Sequence, residues 1–95
     1  MKAQTYNFET WIKNTDPEEL KSIKRLLLEA GFGIVGFAEH HYEPYGYSCV
    51  YLVSESHLSI HTFPEDNCTN IQLSSCMKKP FDEFIKLFLS HESGK

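Results

Sequence analysis

No apolar run in this chain of 95 residues approaches the ~18 to 20 needed to span a bilayer. The opening Met1-Lys2-Ala3-Gln4-Thr5 also lacks the apolar core of a signal peptide. A membrane protein is thereby set aside and a cytoplasmic location is expected. Basic residues are scarce: nine Lys and Arg stand against thirteen Asp and Glu, for a net charge of −4. Without a dense cationic cluster the chain cannot neutralise a phosphate backbone, which excludes nucleic acid as the expected partner. Cys49, Cys68 and Cys76 make neither an even disulfide framework nor a C-x-x-C clip, so reduced thiols are expected. His40, His41, His57 and His61 fall in no H-E-x-x-H or zinc-knuckle spacing, and no metal is assigned. No G-x-S-x-G elbow surrounds Ser48 or Ser56, which argues against a Ser-His hydrolase. Repeats, low-complexity tracts and linkers are missing too, so residues 1–95 read as a single domain with a small core.

Periodicity supplies the elements. Residues 4–12 alternate, with Tyr6, Phe8 and Ile12 on one parity, and read as a first strand. Asp16 then offers an N-cap, Pro17 a first helical residue and Glu19 the capping-box position, ahead of the stripe Leu20, Ile23, Leu27 and Ala30 that Gly31 ends. Residues 33–41 and 46–54, rich in Val, Ile, Phe and Tyr, read as strands around the turn Glu43-Pro44-Tyr45-Gly46. Residues 57–63 and 69–77 are two more extended segments, a hairpin about Pro64-Glu65-Asp66-Asn67. A last helix starts near Pro80, with Phe81, Phe84, Ile85, Phe88 and Leu89 at helical spacing. The expected class is α+β, a two-layer α/β sandwich with helices on one face of a largely antiparallel sheet, in the order β-α-β-β-β-α.

The chemistry gathers in Ser54-Glu55-Ser56-His57-Leu58-Ser59-Ile60-His61-Thr62-Phe63-Pro64-Glu65. The Ser56 hydroxyl adjoins the Glu55 carbonyl, so a strained turn there would let it attack its own preceding peptide bond and turn amide into ester. Elimination of that ester would split the chain and leave a pyruvoyl group on the new N-terminus. Such a ketone forms a Schiff base with an amine and withdraws electrons from a decarboxylating carbon, which ordinary side chains cannot do alone. His57, Ser59 and His61 share a parity and therefore one face of a strand. A hydrogen-bonded or half-exposed strand histidine is the ordinary alternative, as a small buried residue is for a cysteine.

Taken together, SESHLSIHTFPE resembles the processing-site signature of prokaryotic S-adenosylmethionine decarboxylase proenzymes. Pro44-Tyr45-Gly46-Tyr47-Ser48 is similar to that family's Pro-Tyr-Gly-x-Ser segment, and Ile71-Gln72-Leu73-Ser74-Ser75-Cys76 to the segment that ends in its catalytic cysteine. The resemblance implies cleavage between Glu55 and Ser56, with residues 1–55 as β chain and 56–95 as α chain, and a pyruvoyl cofactor made from Ser56. It implies His61 as the base that takes the α-proton, Ser48 as a hydrogen-bond donor to the reacting carbonyl, and Cys76 as proton donor to the substrate after CO₂ leaves. Tyr42 resembles the aromatic that stacks on adenine and Glu65 the acid that binds ribose hydroxyls, with Phe63 lining the same substrate side. The implied activity is that of a lyase that makes decarboxylated S-adenosylmethionine for spermidine synthesis, and the implied assembly is a homodimer with sites near its interface.

Departures from the pattern fall on the substrate side. Phe63 stands where Trp is usual and Met77 follows Cys76 where Gly is common in the family it resembles, and with Lys95 as the last residue given, the family's final strand is expected to be missing or replaced. Two alternatives therefore stay open: ornithine or arginine decarboxylation on the same scaffold, and an inactive regulatory partner of a related enzyme.

Overall fold

The computed structural model describes residues 4–94. Met1–Ala3, part of the terminus read as lacking a signal core, and Lys95, where the chain was expected to stop short of a final strand, lie outside them. The elements run β1 (Tyr6–Ile12), α1 (Pro17–Leu20), α2 (Ser22–Ala30), β2 (Ile34–His41), β3 (Tyr47–Val53), β4 (Ser56–Phe63), a short 3-10 turn (Pro64–Asp66), β5 (Cys68–Ser75) and α3 (Lys78–Ser93). The α+β class holds, but four strands rather than three follow the first helical segment. Both extended segments around Pro64 are full strands, each paired along its length with its neighbours. All pairings are antiparallel, in the spatial order β1-β5-β4-β3-β2.

One face of the sheet is apolar because the side-chain period is two. Tyr47, Cys49, Tyr51 and Val53 of β3, Leu58 and Ile60 of β4, and Ile71 and Leu73 of β5 all point into the core. They meet Leu20, Ile23, Leu26 and Leu27 from the first helical segments and Phe81, Phe84 and Phe88 from α3. Burying each such side chain contributes about 1.5–3 kcal/mol. Tyr6 and Phe8 of β1 seat α3 through ring contacts with Phe81 and Phe88 at 5.8 and 5.9 Å. Leu89, expected on the apolar stripe, is exposed, since α3 turns only its Phe81-Phe84-Phe88 edge fully inward.

The helix expected after Asp16 is broken at Lys21 into α1 and α2. Asp16 caps it as expected, its carboxylate accepting from the Glu18 N–H at 3.0 Å, with Pro17 in the first turn. Glu19 does not complete a capping box. Asn14 Oδ1 takes the Asp16 N–H at 2.9 Å, and Glu19 accepts from the Asn14 amide instead. Gly31, at φ +105°, closes α2 in the left-handed region that glycine enters without penalty.

Cys49 lies among Tyr47 and Tyr51, where burial pushes its thiol up to about 11. Only about one molecule in a thousand would carry its thiolate at pH 8, and the thiolate is the reactive form. Iodoacetamide at pH 8 is expected to leave Cys49 unmodified in the native protein and to label it after denaturation, as read by peptide mass spectrometry. Rapid labelling of native Cys49 would contradict this packing. Among the described residues no helix is long and apolar enough to cross a membrane.

Candidate active site

The β3–β4 connection is a two-residue turn, Ser54-Glu55, closed by the pair Val53 and Ser56. Glu55 takes φ +52°, a left-handed conformation that glycine or asparagine adopts more readily than glutamate. Such residues cost about 1–3 kcal/mol where their surroundings hold them in place. Here the Glu55 carbonyl is the anchored group. It accepts from Cys76 Sγ at 3.2 Å and, in a longer contact, from the Cys76 N–H at 3.5 Å. Ser56, the next residue, starts β4 on the core side and is 7% exposed. Its hydroxyl donates to Ser75 Oγ at 2.6 Å across the β4–β5 pair. A left-handed carbonyl held by two donors and followed by a sequestered hydroxyl is an arrangement that can polarise a peptide bond beside its own nucleophile.

A second group lies at the other end of the same hairpin. Ser48 on β3 faces His61 on β4 in register, with Ser48 Oγ 2.7 Å from His61 Nδ1. The Tyr47 N–H donates to Thr62 Oγ1 at 2.8 Å and pins the strands at this end. The turn above is closed by the Tyr42 N–H donating to the Gly46 carbonyl at 2.9 Å. Gly46 sits at φ +117°, which a side chain would strain. Tyr42, Tyr45, Ser48, His61, Phe63 and Glu65 thereby line one cleft of about 310 Å³. His40 meets the Tyr42 ring edge-on at 4.5 Å.

The sequence-derived residues thus divide into two sets. Tyr42, Ser48, His61, Phe63 and Glu65 share the cleft, whereas Glu55, Ser56 and Cys76 share the hairpin tip. His61 is five positions beyond Ser56 on β4, about 16 Å at the usual rise per strand residue. The two also differ in parity: Ser56 faces the helices, while His61 lies on the open face. Within one chain neither Ser48 nor His61 reaches the Glu55–Ser56 bond. The donors at the Glu55 carbonyl are those of Cys76, where Ser48 was expected.

Two residues were missed from the sequence. Ser75, only 2% exposed, holds the Ser56 hydroxyl, and its register opposite Ser56 was legible only once β4 and β5 were aligned. Trp11 of β1 packs on Phe63 with ring centroids 5.8 Å apart, so an indole stands beside the ring that lines the cleft. Its place in the first strand offered no local signal, since β1 and β4 are separated by β5.

Fold and geometry together define the class: an α+β sandwich carrying a left-handed, serine-flanked hairpin tip and a separate aromatic, histidine-containing cleft. The crystal structure of the adenosylmethionine decarboxylase from Aquifex aeolicus VF5 has the same fold, with a TM-score of 0.63 and 20% identity over 90% of this chain and 81% of that one. The family model for S-adenosylmethionine decarboxylase matches residues 10–91. Curated relatives include the S-adenosylmethionine decarboxylase proenzymes of Thermosipho melanesiensis, 43% identical over 56 residues (59% of this chain, 43% of the relative), and Thermosipho africanus, 35% identical over 74 residues (78% and 57%). This chain therefore belongs to the S-adenosylmethionine decarboxylase family. It spans about half the length of the curated relatives it matches.

Proposed function

We propose that this chain is a self-processing S-adenosylmethionine decarboxylase, a single domain that cleaves itself into residues 1–55 and 56–95. The observation that carries the reading is the Glu55 carbonyl, held by Cys76 in a left-handed turn directly before the buried Ser56 hydroxyl. In the first step Ser56 Oγ bonds to the Glu55 carbonyl carbon, the Glu55–Ser56 C–N bond breaks, and the hydroxyl proton ends on the freed nitrogen. Cys76 stabilises the oxyanion through its N–H and Sγ. In the second step a base removes the Ser56 α-proton, the Cβ–Oγ bond breaks and Glu55 leaves as a carboxylate. The resulting enamine tautomerises and takes up water, releasing ammonia.

The residues present fit a pyruvoyl group, because Ser56, its strained neighbour and the carbonyl donors stand together at the hairpin tip. That group supplies an electron-withdrawing ketone that condenses with an amine and accepts charge during loss of CO₂. Cys76 is the proton donor to the substrate α-carbon. Tyr42 stacks on the adenine, Phe63 borders it and Glu65 accepts from the ribose hydroxyls. Release of labelled CO₂ from carboxyl-labelled S-adenosylmethionine, ornithine and arginine tests the substrate. Turnover of S-adenosylmethionine alone is expected, and turnover of only ornithine or arginine would overturn the substrate assignment.

The protein is expected to act as a homodimer, with a cytoplasmic location. Support for the dimer comes from the separation of the two site groups. The elimination base and the scissile bond cannot meet within a chain, but a two-fold axis would bring the Ser48–His61 cleft of one copy to the hairpin tip of the other, twice per dimer. The open sheet face also carries Val50 and Leu52, the latter 54% exposed, as apolar surface for such a contact.

A further inference from the structure

We propose that Ser75 is the positioning residue for self-cleavage, holding both the nucleophile and the carbonyl donor; this rests on the reading of Ser56 as the cleavage serine. The Ser75 hydroxyl is 2% exposed and its hydrogen-bonding capacity is fully used. It accepts from Ser56 Oγ at 2.6 Å and from the Met77 N–H at 2.9 Å, and donates to the Met77 carbonyl at 3.4 Å. A hydroxyl has one proton and two lone pairs, so these three bonds complete it. With one lone pair taken by Met77, the other faces Ser56 and draws the Ser56 proton toward Ser75. The Ser56 oxygen lone pairs are left free for the Glu55 carbon.

The same hydroxyl shapes the donor. Its bonds to the Met77 N–H and carbonyl fold the chain tightly around Cys76, the residue whose N–H and Sγ contact the Glu55 carbonyl. Ser75 therefore touches the nucleophile on one side and braces the carbonyl donor on the other. It forms no covalent bond in the reaction. During attack the Ser56 Oγ–C bond forms and the Glu55 C–N bond breaks, while the Ser56 hydroxyl proton passes to the departing amine nitrogen and Ser75 keeps its own proton.

Cell-free synthesis of the full chain with timed intact-mass spectrometry measures this step. A parallel hydroxylamine quench cleaves any ester between Glu55 and Ser56, so ester formation is read apart from elimination. Ser75→Ala is expected to slow ester formation about 100-fold, the loss typical when a reacting group is misplaced by about an ångström. Ser75→Thr, which restores the hydroxyl, is expected to recover most of the rate. If circular dichroism shows that Ser75→Ala does not fold, Ser75→Cys replaces it with nearly the same volume and a poorer acceptor, and the same slowing is expected. Ester formation at the wild-type rate in a folded Ser75→Ala or Ser75→Cys chain would overturn the proposal, as would a Ser75→Thr chain as slow as the alanine variant. A wild-type chain that never cleaves would instead overturn the reading of Ser56.

Discussion

A Ser56→Ala chain is expected to remain intact through expression, purification and prolonged incubation, and to release no CO₂ from any amine substrate. The expected effect is all or none because, on the proposed route, the hydroxyl is both the attacking atom and the atom eliminated. Without it there is no ester, no leaving carboxylate and no ketone. Glu55 would still occupy its left-handed turn and Cys76 would still hold its carbonyl, since neither contact uses Ser56 Oγ. The polarised peptide bond would then lack a nucleophile, and water is a poor substitute at a buried position. The change removes a buried hydrogen bond to Ser75, which costs about 1–3 kcal/mol if Ser75 finds no other partner. Loss of cleavage with a retained fold, followed by circular dichroism and intact mass, is the expected pair of results. Slow cleavage at the same bond would mean that another group attacks Glu55.

The second large effect comes from mixing two inactive chains. Ser56→Ala lacks the proposed nucleophile and His61→Ala the proposed elimination base, so neither alone should yield fragments. In the proposed dimer, a mixed pair would bring the intact Ser48–His61 cleft of the first to the intact Glu55–Ser56–Cys76 tip of the second. The His61→Ala chain alone is then expected to be cut, in a fraction that follows the proportion of mixed dimers. Because His61 lies about 16 Å along β4 from Ser56 and on the opposite face, rescue within one chain would require β4 to unpair. Cleavage of the His61→Ala chain on its own would remove His61 from the role of base. Failure of the mixture to cleave, with mixed dimers present, would remove the shared site.

Much of this architecture could be read from the chain itself. The alternation in β3 and β4 and the Phe81-Phe84-Phe88 spacing are local patterns, and they position the sheet and its last helix correctly. The Asp16-Pro17 start is local as well. What escaped depends on pairing between distant segments. Ser75 acquires meaning only from its register opposite Ser56, and Trp11 only from a contact that crosses β5. The capping role of Asn14 competes with Glu19 over a few residues that propensity alone does not separate. The division of the site is the clearest case. SESHLSIHTFPE is continuous in sequence, yet a strand separates its ends and alternates its faces, so proximity in sequence overstated proximity in space.

The central claim is that this chain breaks its own Glu55–Ser56 bond and converts Ser56 to a ketone. Intact-mass spectrometry of the purified protein under denaturing conditions tests it most directly. Two fragments are predicted, residues 1–55 with an ordinary carboxyl terminus and residues 56–95 lighter by one molecule of ammonia than the product of simple hydrolysis. Borohydride should add two hydrogens to the second fragment. A single uncut chain, or a second fragment that keeps a serine amine at its terminus, would contradict the account.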